Sequence, residues 1–399
     1  MNAQFEQAER SPVARRTTIC FPFTGDTVGG SHISALGLLK GLDRSRYRVI
    51  VVPQYPDGAI ARLFADHEVE VATDLEWRDF VPGEPFTAAK FTRAITGILP
   101  VVRFLRRLKV DIVHSNDGRT HATWGPAARL AGARLIWHHR GDPTALGVRL
   151  VAPLIADWVV SVSDFALPKA RFWPALKRAE VLHSPFDTDL RIDRSAARAT
   201  LLQETGLPAD SLIVGYFGNL IPRKRPLLFI DAIAKLRALM PTRAVYGLMF
   251  GAAESPGMTR SIDDRIAALD AGEWIRMMGW KSPGAMWIAA CDQLLVPAIS
   301  EPFGRTLIEA MVVGTPVIAT RSGGNIEALR NGDIGLLVPP EDADALAAAC
   351  AKLATDPALA AMFSQAAQTD AIARFGEEGH CQRVSAIYDM LVEQRGHQE

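Results

Sequence analysis

The sequence predicts an α/β protein made of two doubly wound, Rossmann-like domains. Three observations carry that expectation. Short runs rich in Val, Ile and Leu alternate with longer runs that repeat apolar residues at helical spacing, and regular β-α alternation implies a parallel sheet with helices on both faces. The chain, at 399 residues, is long enough for two cores of ordinary size. The alternation breaks at Ser184-Pro-Phe-Asp-Thr-Asp-Leu190, which divides the chain in two. The predicted layout is a loose leader over 1–15, a first domain over 16–185, a second over 190–376 and a C-terminal helical segment over 377–399.

Composition narrows the function. Hydrophobic residues make up 48% and charged residues 22%, as in an ordinary globular protein. Lys plus Arg equals Asp plus Glu at 44 each, without the basic excess of a nucleic-acid binder. The four cysteines have no C-x-x-C spacing, so neither a zinc site nor a redox motif is expected. Cys20 and Cys291 sit in apolar runs and read as core residues of a protein from a reducing compartment. The first residues, MNAQFEQAERSPVARR, are polar and lack the apolar stretch of a secretory signal. No run of about 18 apolar residues is present to span a membrane, so a cytoplasmic location is expected.

In the first domain, Thr17–Phe23 reads as a strand, 24–31 as a glycine-containing loop and His32–Lys40 as a helix. Gly29-Gly30 alone is a weak signal, short of a dinucleotide fingerprint, and a plain turn is the alternative. Strands follow at Arg48–Val52 and Glu68–Thr73, with a helix over Asp57–Phe64 between them. A long helix is predicted from Phe86 to Lys109, bent at Pro100. Its segment Arg103-Phe-Leu-Arg-Arg-Leu-Lys109 carries four positive charges among apolar residues. That pattern suits either a solvated amphipathic helix or peripheral contact with an anionic membrane. The strands Asp111–Asp117 and Arg134–Asp142 end in His, Asn, Asp and Arg, and ligands of open α/β sheets collect at such carboxyl ends. Among His138, His139 and Arg140, the latter two are the joint candidates for the site. Trp158–Asp164 and Glu180–His183 complete the sheet. Asp187-Thr-Asp189 imitates a D-x-D metal motif, but it falls at the domain boundary, and no metal or other cofactor is expected.

The second domain alternates cleanly. Strands are predicted at Leu212–Phe217, Val245–Phe250, Trp274–Met278 and Gly335–Val338. Helices are predicted at Leu227–Leu239, Ile262–Ala268, around Met286, at Ala343–Leu353 and at Gly379–Gln394. After the first of these strands comes Phe217-Gly-Asn-Leu-Ile-Pro-Arg-Lys-Arg-Pro226, whose Arg223, Lys224 and Arg225 suit a diphosphate, with a solvated basic turn as the alternative.

Between Val296 and Gly324 lies the stretch that organises the chain: strand, glycine loop, helix, strand. Pro302 and Gly304 hold the loop out of the helical basin, and Leu307, Ile308 and Met311 repeat at helical spacing until Gly314. Such a loop aims backbone N–H groups at an anion held at a helix N-terminus. Two carboxylates frame it. Glu301 precedes it, and Glu309 leans back toward its mouth because helical side chains tilt N-terminally. Carboxylates beside an anion site are favourable only when they accept hydrogen bonds, as from a ribose diol or a sugar hydroxyl.

Glu301-Pro-Phe-Gly-Arg-Thr-Leu-Ile-Glu309-Ala-Met-Val-Val-Gly-Thr-Pro-Val-Ile-Ala319 resembles the E-x7-E signature of retaining glycosyltransferases of family four, which have the GT-B fold. The resemblance spans about 15–395 and is strongest beyond Leu212. It implies two Rossmann-like domains facing across a cleft, the second holding a nucleotide-diphosphate sugar and the first facing a glycan or lipid-linked acceptor. It implies that Glu309 grips the ribose diol and Glu301 the transferred sugar. Phe303, Gly304, Arg305, Thr306, Asn219, Arg223 and Lys224 would serve the donor, with Gly30 of the first glycine loop beside it. His139 and Arg140 would face the sugar, and the final helix would cross back to the first domain. Retention of anomeric configuration and a role in cell-surface polysaccharide, lipopolysaccharide or glycolipid synthesis are likewise implied. The chain departs from the family at Asn219, where Arg is usual, at Arg225, where Gly is usual, and at Ser184-Pro185-Phe186, where Asn-Gly commonly precedes the Asp. A catalytically silent nucleotide-sugar binder of the same fold is the alternative, supported by Asn219. A phosphorylase-like enzyme would need a pyridoxal-phosphate lysine, and none is recognisable.

Overall fold

The structure, a computed structural model, describes residues 15–77, 88–141, 143, 152–168 and 178–396. The predicted leader, apart from Arg15, lies outside the described residues, as do Phe86 and Asp142. The first sheet contains β1 Thr17–Phe23, β2 Tyr47–Pro53, β3 Glu70–Val71, β4 Ile112–Ser115, β5 Arg134–His139, β6 Trp158–Ser161 and β7 Ala179–Val181, in the order β3-β2-β1-β4-β5-β6-β7. The second contains β8 Leu212–Phe217, β9 Val245–Phe250, β10 Ile275–Gly279, β11 Gln293–Val296, β12 Val317–Thr320 and β13 Leu336–Val338, in the order β10-β9-β8-β11-β12-β13. All the pairings are parallel. The predicted pair of doubly wound α/β domains is therefore correct. Central strands such as β1 and β8 are buried almost end to end, which is why they read as continuous apolar runs. In each sheet the order reverses beside its first strand, opening a crevice between β1 and β4 and another between β8 and β11.

Three of the longer helices escape the periodicity: Gly118–Ala131, Arg194–Thr205 and Pro357–Phe375. Each starts at an Asp whose carboxylate accepts a backbone N–H: Asp117 from Thr120, Asp193 from Ser195 and Ala196, Asp356 from Leu359. Their small and polar residues dilute the apolar stripe, so the caps were the stronger signal. The helix predicted at Ile262 starts earlier, at Pro256, behind Ser255, whose side chain accepts from the Met258 N–H.

The helix Glu377–Gly396 packs on the first domain. Its Cys381, Val384, Ile387, Tyr388 and Leu391 share one core with Ile19, Leu38, Tyr47 and Ile112. The Tyr47 hydroxyl donates to Asp389 at 2.7 Å. The chain thus crosses between domains twice, and the crossings touch: the Phe186 N–H donates to the Phe375 carbonyl at 2.9 Å.

Candidate donor site

The site grows from the carboxyl ends of β8 and β11. The loop after β11 leads to Gly304, which has φ +71° and begins the helix Arg305–Val312. A side chain in this left-handed region costs about 1–2 kcal/mol, so glycine is the residue that lets the chain enter the helix here. A neighbouring loop holds the first in place. The Gly324 N–H donates to the Glu301 carbonyl at 2.7 Å, and the Ser300 N–H to the Ser322 hydroxyl at 2.9 Å. A methyl group on Gly323, at φ +59°, would lie 2.5 Å from the Glu301 carbonyl oxygen and 2.6 Å from its nitrogen. Gly323 and Gly324 thus set the position of Glu301, a role signalled only by two adjacent glycines after a strand.

Glu301 is 8% exposed, and Arg223 donates to its Oε2 at 2.6 Å. Tyr216, Lys224, Gly304 and Thr306 border the same recess. Lys224 Nζ lies against Gly218, 2.6 Å from where a Cβ on that glycine would stand. Arg225 turns away: at φ 52° its guanidinium goes to Glu341 at 2.5 Å and to the Pro222 carbonyl. Glu309 is half-buried, and burial holds its carboxyl above the usual range against the pull of Arg305 and Lys224. Tyr216 is buried beside both Glu301 and Arg223, and burial pushes its hydroxyl above the ordinary tyrosine range. Sequence periodicity placed Tyr216 in a strand and gave no sign of this role.

Arg305 reaches across to the first domain. Its guanidinium donates to the Ser34 hydroxyl at 2.7 Å and to the Pro185 carbonyl at 3.3 Å, lies 4.2 Å over the Phe186 ring, and keeps a 3.4 Å contact with Glu309. Its Cδ fills the space where a side chain on Gly30 would stand, 2.7 Å from that Cβ position. Two further ties join the domains: the Ser163 hydroxyl donates to the Pro302 carbonyl, and Glu327 pairs with His183 Nε2 at 2.6 Å and accepts the Asp164 N–H at 2.8 Å.

On the first domain, Arg140 donates to Asn116 at 3.3 Å, to Ser184 at 3.0 Å and to His138 Nδ1 at 3.2 Å. Arginine only donates, so His138 Nδ1 is an acceptor there. It can then also accept from His114 Nε2 at 3.3 Å, whose Nδ1 in turn accepts the Tyr388 hydroxyl at 2.7 Å. His138 must be neutral to accept from Arg140, and burial beside Arg140 pushes both histidines well below their usual pKa. Burial and the nearby Arg305 bring Arg140 down to about 9, which leaves it charged at neutral pH.

The predicted residues therefore fall into groups. Glu301, Lys224, Gly304 and Thr306 share one recess, with Arg223 paired to Glu301, while Arg305 and Glu309 lie beside it and, with Gly30, at the domain junction. Arg140 stands at the first domain's edge near Arg305. Three lie apart. Phe303 turns its ring into the core against His183 and Phe375, at 4.9 and 5.4 Å. His139 is buried, with its ring 4.7 Å from Trp137. Asn219 is exposed. His138 faces the final helix, its ring 5.8 Å from that of His380. Among the described residues no group of three His, Cys, Asp or Glu is placed to hold a metal ion.

Residues 28–190 match the family model described as Glycosyltransferase Family 4, and 197–370 match Glycosyl transferases group 1. The chain belongs to the family-four glycosyltransferases, of GT-B fold. This glycosyltransferase is 34% identical over 190 residues to a D-inositol 3-phosphate glycosyltransferase of Stackebrandtia nassauensis, a match covering 46% of the chain and 42% of that relative. It is 29% identical over 390 residues to the protein of the same name from Thermobispora bispora, covering 84% and 88%. In structure it is similar to Anabaena HepE, solved in complex with UDP and glucose, with a TM-score of 0.80, 23% identity, and 94% and 100% of the chains covered.

Proposed function

We propose that this glycosyltransferase moves a sugar from a nucleotide-diphosphate sugar to an acceptor hydroxyl with retention at the anomeric carbon. The observation that carries this is the recess after β8 and β11, where Lys224 and the helix N-terminus at Gly304 stand beside Glu301 and Glu309. A cation and a helix N-terminus suit a leaving diphosphate, and two carboxylates suit hydroxyls. In the reaction the bond from the anomeric carbon to the diphosphate breaks and one to the acceptor oxygen forms. The diphosphate leaves with the electron pair of the broken bond, its charge held by Lys224, and the acceptor proton passes to a phosphate oxygen of the leaving group. The acceptor is a glycan or lipid-linked sugar of cell-surface polysaccharide, lipopolysaccharide or glycolipid synthesis. Inositol 3-phosphate, for which relatives are named, is the soluble acceptor to compare with it. Incubation with uridine, guanosine and adenosine diphosphate sugars tests the proposal, with the product's anomeric configuration read by NMR. Saturable binding without turnover in every case would leave a silent binder.

Glu309→Ala is expected to weaken donor binding by about 1.5–3 kcal/mol per charged hydrogen bond lost while the fold survives. Because burial raises the Glu309 pKa, wild-type donor affinity should fall on acidification at a higher pH than for an ordinary glutamate. Titration calorimetry across pH checks both, and an affinity unchanged in the variant removes Glu309 from the ribose.

A peripheral position on the inner face of the membrane is part of the same proposal. In the helix Ala88–Arg107, Val101, Val102, Phe104 and Leu105 are buried, while Arg103, Arg106, Arg107 and the following Lys109 are exposed. Leu99 and Leu130 are exposed as well, and Arg106 donates to the Leu130 carbonyl. Among the described residues no single helix is long and apolar enough to cross a membrane. The protein is expected to pellet with anionic liposomes, less so in high salt or with these four residues changed to Gln. A wild type that stays in the supernatant ends the idea.

A further inference from the structure

We propose that Arg223 is an exchange cation. A nucleoside diphosphate draws its guanidinium off Glu301 onto the phosphates, and only then is the Glu301 carboxylate free for the transferred sugar. This rests on the donor reading given above and adds an order of events to it.

The charges around the recess require some such movement. Arg305 is committed to the first domain and Glu309, and Arg225 to Glu341. Among the described residues the one side-chain partner of Arg223 is Glu301, and Lys224 has no ion-pair partner. A diphosphate arriving now would meet Lys224 as its one uncommitted cation, with two carboxylates close by. Glu301, for its part, cannot serve a sugar hydroxyl fully while Oε2 accepts from Arg223 at 2.6 Å. One displacement answers both needs. The guanidinium fork fits phosphate oxygens as well as it fits a carboxylate. Sugar hydroxyls then take over the buried Glu301, which could not stand unpaired.

The surroundings permit this movement. The Ile299 N–H donates to the Arg223 carbonyl at 2.9 Å, which ties the Arg223 backbone to the loop that carries Glu301. The Arg223 side chain remains about one-third exposed, at 34%. The guanidinium can therefore swing on a fixed stem. Asn219 is exposed on the same turn and offers no charge to compete for the place.

The test is calorimetric titration with UDP, GDP and ADP, and with the monophosphate of whichever binds tightest, alongside thermal unfolding of each variant. Arg223→Gln is expected to lose tenfold or more in diphosphate affinity and to keep monophosphate affinity within about twofold. Glu301→Gln loses the charge that holds Arg223, and it is expected to bind the diphosphate several-fold more tightly than wild type while losing turnover. Equal losses for both nucleotides in Arg223→Gln, or no loss, would overturn the exchange. So would a diphosphate affinity in Glu301→Gln at or below that of wild type. A wild type that binds none of the diphosphates removes the donor site itself, and the exchange with it. Diphosphate binding that is indifferent to both substitutions removes the exchange alone.

Discussion

Lys224→Ala is expected to remove nearly all turnover. The leaving diphosphate gains charge as the sugar departs, and Lys224 Nζ lies against Gly218, borders the Glu301 recess and has no ion-pair partner among the described residues. Removing one preorganised donor to a developing anion typically costs about a hundred- to a thousandfold in rate. Asn219 cannot compensate, because its amide carries no charge. Asn219→Arg, by contrast, is expected to leave activity intact or raise it, since a forked cation on that turn would share the load. The check is kcat/KM of both variants with the donor that the wild type uses. If Lys224→Ala keeps more than about a tenth of wild-type kcat/KM, under about 1.4 kcal/mol of transition-state stabilisation has gone. The diphosphate would then have to lie elsewhere.

The second large effect is structural. Gly323→Ala would place a methyl group 2.5 Å from the Glu301 carbonyl oxygen, at a φ of +59° that alanine disfavours. The obstacle is backbone, so no side chain can rotate away, and the Glu301 loop must move. Strain and overpacking together predict a loss of about 2–4 kcal/mol in stability. The same shift breaks the Gly324–Glu301 and Ser300–Ser322 bonds, so turnover should fall by more than the stability loss explains. Gly272→Ala is the control, because open space surrounds that position. Denaturant melts and kcat/KM on the two variants decide it, and a Gly323→Ala protein with native stability and activity would refute the role assigned to this glycine.

What could be read from the sequence was local. The spacing of Glu301, Gly304 and Glu309 lies within one strand-loop-helix unit, so the sequence displays it directly. Arg223, Lys224 and Arg225 look alike in sequence, and only the left-handed backbone at Arg225 sends that side chain to Glu341 instead of the recess. The Arg223–Glu301 pair joins residues of two separate loops, which periodicity cannot foresee. His138 and His139 point to opposite faces of β5, as any strand requires. Which face meets the final helix is decided by Tyr388 and His380, far away in the chain. Arg305 reads in sequence as a donor contact in the glycine loop, but its guanidinium reaches Ser34 and Pro185 of the other domain, a long-range packing result.

The helix Glu377–Gly396 also has a consequence for biosynthesis. It begins about 200 residues beyond β7, yet it completes the core around Ile19, Leu38, Tyr47 and Ile112. On the ribosome, at about 5–20 residues per second, that leaves the first domain's apolar face uncovered for roughly 10–40 s. A nascent chain paused in the second domain would present this face to chaperones. A product truncated before Glu377 would keep it exposed for good and be a substrate for proteolysis, however well its donor domain had folded.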